Sequence, residues 1–139
     1  MFKKLNLQFL ISYLGYLPFL FVIIEKFLFN IFKPAILKDF IVLYSIIIFV
    51  FIGAINWNLR ENIPTKLLVI GFLPSLCSIF IIILYLSSYD VYLIIIILLL
   101  IQLVIEKYFN KKKFERKIYY MVRAPLTFLI LISLIIIQF

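Results

Sequence analysis

Five stretches of this chain run for about 15 to 20 residues without a charged side chain: roughly Phe9–Ile24, Phe40–Trp57, Leu67–Leu86, Val91–Ile105 and Pro125–Phe139. A helix rises about 1.5 Å per residue, so about 20 apolar residues cross the hydrocarbon core of a bilayer. Such runs are too long for strands and lack the alternation of a membrane barrel. Hydrophobic residues make up 67% of the chain and charged residues 14%. In water that apolar surface could not be hidden, so lipid is the expected solvent. The reading is an all-α integral membrane protein: a single membrane domain over 1–139, built as a bundle of five transmembrane helices. The first and fourth runs are short unless flanking residues such as Leu7 or Tyr108 extend them.

The formal charge of +8 would suggest nucleic acid in a soluble protein. Here the basic residues lie mostly between the runs, which fits topogenic charge and attraction to anionic headgroups, with no nucleic-acid partner. With five spans, the N-terminal tail and the second and fourth loops share one side and hold eleven of the 14 Lys and Arg residues. The other side holds Lys26, Lys33 and Lys38. This bias predicts a cytoplasmic N-terminus and an outer C-terminus. The cluster "KYFNKKKFERK", Lys107–Lys117, dominates the bias and reads as a stop signal facing headgroups, or else as a recruiter of an acidic partner. Lys3 and Lys4 before an apolar run imitate a signal peptide. No small-residue cleavage site follows and Pro18 sits within the run, so it reads as a retained span. The segment "EKFLFNIFKPAILKDF" is interrupted by charge and Pro34; residues 25–38 are expected to form a short piece along the outer interface.

Two near copies, "GYLPF" at 15–19 and "GFLPS" at 71–75, place Gly and Pro three residues apart inside the first and third runs. Proline has no N–H and crowds the carbonyl four residues back, so Pro18 and Pro74 predict kinked spans 1 and 3, with the carbonyls of Leu14 and Ile70 freed. Gly15 and Gly71 remove a side chain beside each kink and allow close helix approach. Gly71, Ser75 and Ser78 share one face at helical spacing. They form either a small-residue packing seam or the wall of a cavity where unwound backbone meets a ligand.

In "GAINWNLRE" at 53–61, Gly53, Asn56, Trp57 and Arg60 share a face. Trp57 reads as an interfacial anchor, and a buried Asn56 would need a hydrogen-bond partner. Glu106 ends the fourth run and Arg123 precedes the fifth. At the cytoplasmic end of the bundle these charges are expected to be solvated, with Arg123 reaching toward headgroups; internal pairing of Glu106 with Arg123 or Arg60 is the alternative.

The motifs taken in order resemble the transmembrane protein 69-like family, also called domain of unknown function 3429. That family has a Leu-Gly-x-x-Pro-Phe first span, a Gly-x-x-His-Trp end to the second, a Leu-Pro-Ser third and an Arg-containing start to the fifth. The counterparts here are "LGYLPF" at 14–19, "GAINW" at 53–57, "LPS" at 73–75 and "VRAPLT" at 122–127. Asn56 stands where the family usually has His, so metal binding or proton transfer by that His does not carry over. The resemblance implies a multi-span inner-membrane protein and no particular activity.

The chain has no His and one cysteine, Cys77. Six acids are scattered, and Ser75, Cys77 and Ser78 have no base to activate them. The expectation is therefore no enzyme, no cofactor and no metal. It is a structural, assembly or interaction protein for a membrane complex, partnered by lipid and by another membrane protein or a second copy. A small transporter or channel with a site between spans 1 and 3 is the alternative. For a lipid- or quinone-modifying enzyme, only Asn56, Trp57 and Glu106 would be worth inspecting.

Overall fold

The computed structural model describes residues 10–55, 65–109, 117 and 119–138, and every regular element among them is helical. Five helices result: α1 (Leu10–Phe29), α2 (Pro34–Ile55), α3 (Thr65–Leu86), α4 (Tyr92–Phe109) and α5 (119–138). By length and composition, four of them can cross a membrane: Leu10–Phe29, Pro34–Ala54, Leu68–Leu86 and Tyr119–Gln138. The fourth expected span corresponds to α4, a helix of 18 residues with Glu106 and Lys107 near its end.

The described residues of 1–41 and 98–139 form one compact unit, and Val42–Ile97 forms a second; the boundaries fall within α2 and α4. In the first unit α1 packs on α5. α1 is interrupted by a turn at residues 15–16, continues as Leu17–Ile24 with Pro18 in its first turn, and ends in a π-helical turn, Glu25–Phe29. Proline is tolerated in a first turn because that N–H has no carbonyl to meet. Asn30 then closes the helix in the left-handed region, at φ 51°, and its N–H donates to the Glu25 carbonyl at 2.8 Å. Residues 25–38 thus form no separate interfacial helix: they are the end of α1, a short turn, and the first turn of α2 opened by Pro34.

Polar side chains fasten α1 to α5 near both of their ends. The Tyr13 hydroxyl donates to the Met121 carbonyl at 3.1 Å. The Lys26 ammonium donates to the carbonyls of Ile136 and Ile137 at 3.1 and 2.8 Å. The order of these contacts makes the two helices parallel. Between them Tyr16 and Ser133 lie 2.6 Å apart, and Ser133 donates to the Leu129 carbonyl at 2.8 Å. A hydroxyl has one proton, so Tyr16 is the donor to Ser133. Phe19, Val22, Ile130 and Leu134 fill the space around these contacts.

In the second unit α2 buries Val42, Ser45, Ile46, Phe49, Ile52 and Gly53, the three-and-four spacing of one helical face. α3 buries Gly71, Pro74, Ser78 and Ile81. A turn with Ser88 at φ 66° leads to α4, where the Asp90 carboxylate accepts the Tyr92 N–H at 3.1 Å in the first turn.

Candidate functional site

The second Gly-x-Leu-Pro copy lies at a helix crossing. A Cβ placed on Gly53 of α2 would stand 2.6 Å from Cγ and 2.9 Å from Cβ of Pro74, and 3.1 Å from the Gly71 carbonyl oxygen. Real Cβ atoms do not approach that closely, so the glycine lets the α2 backbone lie against the Gly71–Pro74 turn. Ser78 is buried and its hydroxyl donates to the Ser75 carbonyl at 2.7 Å within α3; Ser75 is only half-buried. The first copy is placed differently. Gly15 is half-buried, and a Cβ there would meet only the carbonyl of Ser12 in its own helix, at 3.3 Å. Pro18, also half-buried, sits after the break at 15–16 instead of inside a continuous helix.

A polar cluster occupies the first unit. Arg123 Nη2 lies 3.7 Å from Glu106 Oε1, with side chains 15% and 4% exposed. Arg123 therefore turns inward to a carboxylate, in contrast to the expected reach toward headgroups. At 3.7 Å the pair is an electrostatic contact beyond hydrogen-bond length. Gln102 precedes Glu106 by four residues, hence on the same face of α4, and it is 6% exposed. Neither its amide nitrogen nor its amide oxygen has a hydrogen-bond partner among the described residues. Tyr119 closes the same region: its buried hydroxyl donates to the Leu103 carbonyl at 2.9 Å. Tyr119–Arg123 is a π-helical turn, a widening that changes which side chains the start of α5 presents.

Several of these groups escaped the sequence reading. Gln102 was legible as the one amide within "LLLIQLVIE", a full turn before Glu106. Pro125 was legible as a third proline within an apolar run. Its missing N–H leaves the Met121 carbonyl without its usual helical donor, and Tyr13 supplies one. Glu25 had no such signal: it reads as a loop charge, yet it is 2% exposed and accepts the N–H groups of Ile31 and Phe32. Asn56, Trp57 and Arg60, and most of the Lys107–Lys117 cluster, lie outside the described residues. No group of three or more His, Cys, Asp or Glu side chains among the described residues could hold a metal ion.

Neither a curated protein nor a solved structure matches the chain. The family described as protein of unknown function (DUF3429) matches residues 6–139, and the chain belongs to that family.

Proposed function

We propose that this is a five-span inner-membrane protein, similar to transmembrane protein 69, that serves a membrane complex as a non-enzymatic packing or assembly component. The observation that carries the reading is the crossing at Gly53. The most unusual motif of the chain, Gly-x-Leu-Pro in α3, meets a neighbouring helix there at backbone distance. The serine beneath it donates to its own helix. Both features are those of a packing seam. The fifth span is supported by the parallel course of α1 and α5. If only α2 and α3 crossed between them, α5 would start where α1 ends and run antiparallel. A crossing by α4 restores the parallel course, and its 18 residues reach about 27 Å. Loop charge supports a cytoplasmic N-terminus and an attraction of the Lys107–Lys117 segment to anionic headgroups.

A small transporter or channel is the second reading, and Gln102 favours it. A buried amide without partners, one turn from a buried ion pair, is where a polar guest would be held. The two readings part in experiment. Purification in mild detergent should retain a membrane protein or a second copy under the first reading, and repeated recovery of the free monomer counts against it. Reconstituted vesicles should show flux of ions or small metabolites only under the second.

A further inference from the structure

We propose that the turn joining α1 to α2 is a lipid-binding element, sunk among the acyl chains of the bilayer instead of lying in water above it. The inference rests on the membrane-spanning reading of α1 and α2. Its first support is what the turn exposes. Phe27, Leu28, Phe29, Ile31 and Phe32 follow one another around it, and Leu28 and Ile31 are 73% and 74% exposed. A run of large apolar side chains bared at a helix–helix turn is costly in water.

The second support is how the turn satisfies its own polar groups. Here the N–H of Asn30 donates to the Glu25 carbonyl, and those of Ile31 and Phe32 donate to the Glu25 carboxylate. That carboxylate is buried and sits just before α2, where an N-terminal helix dipole favours negative charge. The next residue, Lys26, turns the other way and donates to the last carbonyls of α5, where the dipole favours positive charge. Its ammonium also lies 5.5 Å from the centre of the Phe27 ring. Two adjacent charges of opposite sign are thus consumed on backbone groups at one end of the unit. Each of these three N–H groups of the turn bonded internally is one fewer left bare in hydrocarbon, where no water can bond it. Phe32 folds back edge-on to Phe21, at 6.3 Å between ring centres, so the apolar cover continues the outer face of α1.

Spin labels test this. A nitroxide is attached at Leu28→Cys or Ile31→Cys in a Cys77→Ser background, with Ile47→Cys, on the exposed face of α2, as the reference. The protein is placed in vesicles of phosphatidylethanolamine and phosphatidylglycerol. Collisions with oxygen, which concentrates in hydrocarbon, are compared with collisions with a water-soluble nickel chelate. Oxygen collisions should exceed nickel collisions several-fold at residues 28 and 31, approaching the ratio at 47. Nickel dominating at both turn positions, with a lipid-like label at 47, overturns the inference and leaves the spanning reading intact. Nickel dominating at 47 as well removes the spanning reading itself. Labels at the turn shielded from both reagents mean that a protein covers it, which also overturns the proposal. Adding Glu25→Ala should raise nickel access at residue 31 a few-fold; an unchanged ratio would show that the carboxylate does not hold the turn in lipid.

Discussion

At Gly53 a single hydrogen stands where any other residue would bring a carbon against a proline ring. Pro74 is rigid and the Gly71 carbonyl belongs to a helix, so neither neighbour can swing aside. Gly53→Ala should therefore destabilise the protein by about 1–3 kcal/mol, the usual range for overpacking. Gly15→Ala should cost clearly less, because the added carbon meets only the Ser12 carbonyl in its own chain segment, at 3.3 Å. Thermal melting of both variants in the same detergent checks the contrast, and equal losses would contradict it. The sequence showed two similar motifs but not this difference. Local sequence specifies the break or kink, whereas the partner of a glycine is set by tertiary packing. The Glu106–Arg123 contact gives a second test. Arg123→Gln leaves a carboxylate buried without its cation, so it should lower stability, and adding Glu106→Gln should recover part of the loss. The coupling from a double-mutant cycle should exceed about 1 kcal/mol, the ceiling for exposed pairs. A smaller value would mean that the arginine is solvated in the membrane.

At the scale of elements, the start of α5 depends on another helix. Pro125 withholds an N–H from the Met121 carbonyl and Tyr13 of α1 provides a hydroxyl instead. Tyr13→Phe should cost about 0.5–1.5 kcal/mol, as for loss of one hydrogen bond. In a Pro125→Ala background, where residue 125 has an N–H again, the same change should cost measurably less. Additive losses by denaturant titration would show that the hydroxyl does not replace the missing donor. The helices themselves were legible, because uncharged runs and bilayer thickness set where they lie. Their ends were not. The charges of Glu25 and Lys26 marked a boundary at residue 24, yet α1 continues to Phe29 because both side chains turn back onto backbone groups. Charge marks the end of a span only where the charge stays in solvent. For Arg123 the sequence left pairing with Glu106 only as the alternative, because its inward turn depends on a carboxylate in another helix.

For the whole molecule, the parallel course of α1 and α5 fixes a parity. Reporter fusions after Lys117 and after Phe139 should report opposite sides of the membrane, the first cytoplasmic; matching sides would break the five-span arrangement. The division of the chain matters in time as well as in space. One compact unit draws on residues 42–97, and the other joins 1–41 to 98–139. The ribosome therefore releases everything the middle unit needs well before α5 exists. α1 emerges well before α5, so the contacts of Tyr13, Tyr16 and Lys26 with Met121, Ser133 and Ile137 form only when α5 follows. During that interval α1 has yet to make its three polar contacts with α5. Chains stalled before residue 119 would lack these three contacts permanently and leave the outer unit unfinished.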